Sequence, residues 1–389
     1  MARSNVIIDF LIIFCLYVTS IVGFNDQLNS LALYVIIPFA SVLTVFRYKF
    51  NVGYSMKWLL FLYLWMIFTC LFAEHLDLAS RQLKQIIGCV LLSFIMAQNA
   101  KKPSMVPWLY GVYILVFISS IYYGLTNILD ASYDIGSDRL NDDNLNANTL
   151  AYFLLYSTFA IFILADIVNR KLLSRIFRIG FWLMIPVTFY VAIFTASRQI
   201  LLTSIPLLLM LFFIRYIKGA KRKYIFQTLI IIAVAGAFVV PKFMDIYENS
   251  FLKERTKIDL NEDSRILLLK DAINVGLENP VVGVGPGNYV MYSYNKHFSH
   301  CSYTELFANS GILALILYIG LIWTFMKRQF KRYGSHKNAI YLAFIVFGLI
   351  FIVDNVFFVF YNNLWLISFF ILVSTHSDTN EKLSDLNYK

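Results

Sequence analysis

The stretch SRILLLKDAINVGLENPVVGVGPGNYVMYSYNKHFSHCSYTELFANSG, residues 264–311, decides how the chain is read. Here the long apolar runs stop and side chains able to do chemistry gather. Ser264 is placed to cap a helix running to about Glu278, with Ile266, Leu269, Ala272 and Ile273 on one apolar face. Such a helix lies along a membrane surface or packs on a helical bundle. Arg265 is its second residue. Pro280 follows, then the glycine-rich turn GVGPG at 283–287, and His300 stands where the next apolar run begins.

Working outward, both flanks are apolar. Of 389 residues, 59% are hydrophobic and only 14% charged, against about 45–50% and roughly 25% in soluble domains. The chain reads as an all-α, polytopic integral membrane protein. A spanning helix needs about 20 apolar residues. By that measure about twelve spans fall near 6–23, 28–46, 57–73, 83–99, 105–125, 149–168, 176–196, 198–216, 224–240, 303–326, 338–353 and 356–374. The first run lacks a small-x-small cleavage site and reads as a retained helix, not a removed signal. Four cysteines without a CxxC or His/Cys cluster predict neither a disulfide framework nor a zinc site. No cofactor and no nucleic-acid partner is expected, because the net charge of +10 has a membrane explanation.

That explanation sets the topology. One set of alternate connections carries nineteen basic residues, among them Arg47, Lys101, Lys102, Arg170, Arg215 and Lys327. The other set carries four, leaving the long segment aside, and holds Glu74, Asp77, Asp130, Asp134 and Asp354. The positive-inside rule places the first set and both termini in the cytoplasm, and the long 241–302 segment outside. The expected organisation is 1–240 for spans one to nine, 241–302 for an outward segment begun by Pro241, 303–376 for the last three spans, and 377–389 for a cytoplasmic tail.

Four basic residues on the outer side invite a function: Arg139, Arg198, Arg265 and His300. Arg198, in FTASRQILL, sits between two apolar runs with almost no loop. A charge there is costly unless it is paired or lines a hydrated cavity; the plainer alternative is an arginine snorkelling to headgroups. The plainer alternative for Arg265 is a solvent-facing helix residue. For His300 it is an interfacial structural histidine, although an imidazole can take a hydroxyl proton near neutral pH. A His300–Cys301 nucleophilic pair is disfavoured because sequence neighbours rarely face each other. GVGPG resembles a phosphate cradle but lacks the Lys-Ser or Lys-Thr ending of a nucleotide loop, and reads better as a tight turn packed closely. The acidic, Asn-rich stretch from Asp130 to Asn148 matches no calcium loop and reads as a solvated loop.

Four segments in order resemble the O-antigen ligase/polymerase superfamily: SDRLNDDNLNANTLAYFLL, FTASRQILL, SRILLLKDAINVGLENPVVGVGPGNY and SHCSYTELFANSGILALILYIG. They look like the family's arginine and Asn-x-x-Ala element, its Ser-Arg junction, its outer helix with a glycine-rich turn, and its histidine-containing entry to a span. The match is specific over roughly 260–325 and looser over 139–210. Where the family often has Trp after the loop arginine, Leu268 and Leu269 stand here, and Cys301 replaces the Asn that commonly follows its histidine.

The resemblance implies a GT-C-like membrane glycosyltransferase that polymerises oligosaccharides linked to undecaprenyl pyrophosphate, or one that ligates them to lipid A–core. It implies His300, Arg265 and Arg198 as catalytic, with Arg139, Asn148, Gly283, Gly285 and Gly287 binding substrate and no metal required. It further implies as partners a lipid-linked glycan donor, a glycan or lipid A–core acceptor, the lipid bilayer, and a flippase and chain-length regulator of the same pathway. The competitor from another class is a transporter. Such proteins usually carry a central cytoplasmic linker and a pseudo-repeat, whereas the large segment here faces outward after span nine.

Overall fold

The computed structural model describes residues 2–22, 26–48, 53–128, 147–194, 264–336, 339–353 and 364–387, with short pieces between 209 and 253. Among these residues every regular element is helical: α1 Ala2–Val22, α2 Asp26–Leu31, α3 Ile37–Arg47, α4 Tyr54–Thr69, α5 Leu76–Asn99, α6 Val106–Ile128, α7 Ala147–Ile167, α8 Lys171–Phe194, α9 Ser264–Glu278, α10 Tyr289–Tyr292, α11 Ser302–His336, α12 Ala339–Val353 and α13 Leu364–Asn387. Short 3₁₀ turns cover Cys70–Phe72 and Tyr294–Lys296, and one π turn covers Ala32–Ile36.

Among the described residues, six helical stretches are long and apolar enough to cross a membrane: Asn5–Val22, Tyr54–Phe72, Leu76–Asn99, Val106–Thr126, Lys171–Val191 and Ser302–Ser335. Shorter apolar helices cover Ala32–Arg47, Tyr152–Ile167 and Trp365–His376. The expected spans at 198–216 and 224–240 lie almost wholly outside the described residues. The expected span at 28–46 is not one continuous α-helix. Pro38 has no N–H to donate and its ring crowds the preceding turn. The chain answers with the π turn, in which the Ile37 amide reaches back to the Ala32 carbonyl. At the other end of the chain, α13 continues past its apolar run to Asn387.

The chain divides into two compact units. The first comprises Met1–Val112, Asp259–Lys331 and Phe351–Lys389; the second comprises Tyr113–Ile258 and Arg332–Ile350. In the first, α13 and α3 pack on α5, α4 lies beside α5, and α1 packs on α3. Helix α1 buries Ile12 and Leu16 yet leaves Val6, Ile7, Phe10 and Phe14 exposed. A helix apolar on its outer face as well as its inner one suits lipid as its solvent. In the second unit, α7 packs on α8 around Leu150, Leu154, Val191 and Phe194. The hydroxyls of Thr158 and Thr188 pair between these helices at 3.1 Å.

Polar contacts gather at the two ends of the first unit. Helix α5 has 24 residues and is therefore about 36 Å long. Beyond its C-terminal end, Lys102 reaches Asp9 of α1. Asp9 also accepts Arg47 Nε at 2.9 Å and the Tyr48 hydroxyl at 3.3 Å. The Tyr110 hydroxyl meets His376 Nδ1 at 3.1 Å, and Ser55 pairs with Ser374. The basic connections after the second and fourth expected spans thus share an end with His376. At the opposite end, ahead of α5, lies the Ala73–His75 connection that meets the segment between α9 and α11.

Candidate functional site

Helix α11 is broken. Gly311 stands inside it at φ 75°, ψ −175°, so two helices meet there, where a single span was expected. A break strands the carbonyls of the preceding turn, and in lipid each unsatisfied backbone group costs several kcal/mol unless protein supplies a partner. The glycine-rich turn supplies most of them. Val284 donates its amide to the Ala308 carbonyl at 3.0 Å and Gly285 donates to Asn309 at 2.9 Å. Beyond the break, the Ile312 amide donates to the Pro280 carbonyl at 2.8 Å. A third carbonyl of that turn, on Ser310, accepts Trp65 Nε1 of α4 at 2.8 Å. Replacing Trp65 with phenylalanine removes that donor. The expected cost is about 1–3 kcal/mol of stability, read as a lowered thermal midpoint of purified protein; an unchanged midpoint would mean another donor fills the place.

The turn must lie very close to α11 to make these bonds. Gly283, Gly285 and Gly287 all have positive φ, at 66°, 93° and 74°. A Cβ on Gly283 would stand 2.4 Å from the Asn309 carbonyl carbon, and one on Gly285 would stand 2.5 Å from the Ala73 Cβ. The Gly283 amide donates to Asn279. The amides of the first half of the turn are therefore committed inside the fold, and what its glycines provide is close approach.

Side chains then tie the turn to its surroundings. Asn288 pairs with both backbone groups of His75, accepting its amide at 2.7 Å and donating to its carbonyl at 3.2 Å. The Tyr292 hydroxyl donates to Glu74 at 2.6 Å, and this bond to a carboxylate, aided by burial, pushes the phenol up to about 12. Tyr289 is fully buried; its hydroxyl donates to the Leu268 carbonyl of α9 at 2.6 Å. Burial, and then the charges of Glu305 and Asp271, raise its pKa, which keeps the phenol protonated as that donor. Asp271 accepts the Tyr294 amide at 2.9 Å. Ala272, Val275, Val284, Tyr289 and Ala308 form one apolar cluster beneath these bonds.

Helix α9 has the bounds its capping residue predicted, Ser264–Glu278. Its buried face differs from the expected one. Leu268, Ala272 and Val275 are buried, whereas Ile266 and Ile273 are each 37% exposed. The four apolar residues Ile266–Leu269 fit a stripe on any side, so periodicity alone could not choose. Gly276 chooses: a Cβ there would stand 2.4 Å from the Phe307 ring of α11, which seats the helix on that side.

His300 lies two residues before Ser302, the first residue of α11, and has a left-handed backbone, φ 56°. It is half-buried, with its ring 4.3 Å from that of Phe298. A non-glycine residue there is strained and stays only if its neighbours hold it. They do. Ser299 Oγ donates to the Cys301 carbonyl at 3.0 Å and accepts the Cys301 amide at 3.3 Å. The Ser299 amide donates to the Glu305 carboxylate at 2.7 Å. Glu305 in turn accepts Asn309 Nδ2 at 3.0 Å, and Asn309 Oδ1 accepts the Tyr289 amide at 2.9 Å. A continuous buried chain of hydrogen bonds therefore runs from the backbone before His300 to the end of the glycine turn.

Of the expected site residues, the first unit brings His300, Gly283, Gly285 and Gly287 into one bonded assembly with α9. Arg265 is on the first turn of α9, with its side chain outside the described residues. Arg139 and Arg198 lie outside them altogether, and Asn148 is the second residue of α7, with no side chain described. Sequence reading passed over Asn288, Trp65 and Asn309. Glu305 and Asn309 had a signal, an acid and an amide four apart at the entrance to an apolar run; Asn288 and Trp65 had none.

Comparison with known proteins bears on this same region. Residues 179–319 match the Wzy_C family, described as O-antigen ligase. The match takes in Arg198, Arg265, the glycine turn and His300, and leaves out Arg139 and Asn148. No curated protein matches the chain.

Proposed function

We propose, from the match of residues 179–319 to the Wzy_C family, described as O-antigen ligase, that this membrane protein polymerises lipid-linked oligosaccharide repeat units into a surface polysaccharide. The donor is a glycan on undecaprenyl pyrophosphate, and the acceptor is a second lipid-linked glycan. The reaction takes place at the outer face of the cytoplasmic membrane, with both termini in the cytoplasm. The observation that carries this reading is the strained, clamped His300 within the matched region.

An acceptor hydroxyl oxygen attacks the anomeric carbon from the face opposite the leaving group, and a C–O bond forms there with inversion. The bond from that carbon to the phosphate oxygen breaks, and its electron pair leaves on the pyrophosphate. The imidazole of His300 takes the hydroxyl proton. Arg265 and Arg198 pair with the pyrophosphate oxygens, since guanidinium offers planar, bidentate donors to phosphate. Two such cations neutralise the charge that develops, so the transfer needs no metal. Arg139, Asn148 and the turn at Gly283, Gly285 and Gly287 shape the substrate's path. A second reading, favoured by the matched family's description, is a ligase that transfers the glycan to lipid A–core.

The test is a product assay on purified protein in lipid with an undecaprenyl-pyrophosphate-linked repeat unit, run beside Arg265→Ala and His300→Ala. A ladder of lipid-linked oligomers is expected, with each substitution lowering the rate by about a hundredfold or more. Transfer only after lipid A–core is added would identify the ligase. No covalent product under either condition would overturn both readings and favour a transporter.

A further inference from the structure

We infer that Glu305 is a positioning residue for His300 and that Asn309 works with it, the pair fixing the backbone that holds the imidazole. This rests on His300 being the proton acceptor proposed above. Glu305 is 2% exposed and Asn309 is fully buried, so neither finds water if its partner is lost. They lie four residues apart on the first half of α11, one turn above each other.

The donor and acceptor pattern allows little substitution. Glu305 accepts at both oxygens, from the Ser299 amide and from Asn309 Nδ2. An ionised carboxylate offers acceptors alone, whereas a glutamine offers one acceptor and one NH2 group. Glutamine at 305 would therefore set an N–H against an N–H at one of the two contacts. Asn309 is fixed in its turn, because the Tyr289 amide requires its oxygen on that side. The order of groups is amide, carboxylate, carboxamide, amide.

The contact that matters for His300 is the first. The Ser299 amide belongs to the peptide unit one residue ahead of the left-handed residue, and Ser299 Oγ holds the unit after it. With the first bond gone, His300 can relax toward ordinary backbone angles and swing its ring away. The break in α11 has its own partners in Val284, Gly285, Pro280 and Trp65, so the effect falls on the histidine.

The same pattern names its own rescue. With glutamine at 305 and aspartate at 309, the glutamine oxygen accepts the Ser299 amide and its NH2 donates to the aspartate. The second aspartate oxygen accepts the Tyr289 amide. Total charge is unchanged and every donor regains an acceptor.

The experiment uses the full chain in lipid and four variants: Glu305→Gln, Asn309→Asp, the double variant and His300→Ala. Two quantities are read. One is kcat and KM for the acceptor. The other, which needs no turnover, is the pH profile of diethylpyrocarbonate labelling at His300, resolved by peptide mass spectrometry. Glu305→Gln is expected to lower kcat by about tenfold with little change in KM, and to alter His300 labelling by about threefold. The double variant is expected to restore both to near the starting values. Should Glu305→Gln not fold, a folded double variant with the starting labelling profile supports the inference equally. Unchanged kcat and labelling in Glu305→Gln would overturn it, as would a double variant no better than the single one in both. Full transfer by His300→Ala would instead overturn the proton-acceptor role, while the labelling profiles still decide whether Glu305 orders the histidine.

Discussion

Alanine in place of Gly311 should leave no folded protein. At φ 75° and ψ −175° the residue occupies a region that side chains all but exclude. Its Cβ would stand 2.0 Å from the Val281 carbonyl oxygen and 2.9 Å from that of Pro280. Both are backbone atoms, and the Pro280 carbonyl is held by the Ile312 amide, so the clash is not relieved by turning a side chain. The strain and the lost Ile312 to Pro280 bond together exceed about 4 kcal/mol, a large share of the stability of most proteins. Gly334 is the control. It lies near the end of α11 with open space around it, and alanine there should stabilise by up to about 1 kcal/mol, because glycine is the poorer helix former. Size-exclusion profiles of the solubilised variants separate the outcomes: a monodisperse, heat-resistant Gly311→Ala would mean that the break is not required.

Replacing Asp9 with alanine should have the next largest effect. Asp9 is 7% exposed and serves two cations, Arg47 and Lys102, together with the Tyr48 hydroxyl. Removing the carboxylate leaves both cations without an anion at one end of the first unit. Truncating one member of a buried ion pair costs about 3–5 kcal/mol, mostly as the desolvation of the charge left behind. Lys102 is 35% exposed in its side chain and Arg47 18%, so the lower end of that range applies, about 3 kcal/mol. Asn at position 9 retains one acceptor and should cost less. By contrast Glu248, 47% exposed in its pair with Lys253, should lose under about 1 kcal/mol on conversion to alanine. Thermal midpoints of the purified variants test the ordering, and equal midpoints for the two alanine variants would mean that the Asp9 cluster adds nothing.

Much of the frame could be read from sequence because its causes are local. The extent of α9, Ser264–Glu278, could be read from a capping residue type at one end and Pro280 just past the other. The charge difference between alternate connections groups Arg47 with Lys102, which meet at Asp9. Local signals fail where distant partners decide. SGILALILYIG reads as uninterrupted apolar helix, since the reason for the break, the Pro280–Val281 backbone, lies outside that run. The π turn before Pro38 likewise replaces an expected smooth span. At the candidate site, His300 and the glycine turn announced themselves by residue type. Glu305 and Asn309 did not, because their value lies in an order of donors and acceptors that no single residue carries. Asn288 is an ordinary asparagine until His75, 213 positions away, is brought against it.

The break in α11 also has a bearing on exchange with solvent. Pro280 and Ile312 are about thirty residues apart, so closing that loop costs little more than closing a short one. Trp65 is 245 positions from Ser310 and reaches it from α4. The amides of Val284, Gly285 and Ile312 all depend on one turn lying against one helix end. They should therefore exchange with deuterium together, at a common rate set by the opening of that whole element, while an ordinary spanning helix frays residue by residue from its ends.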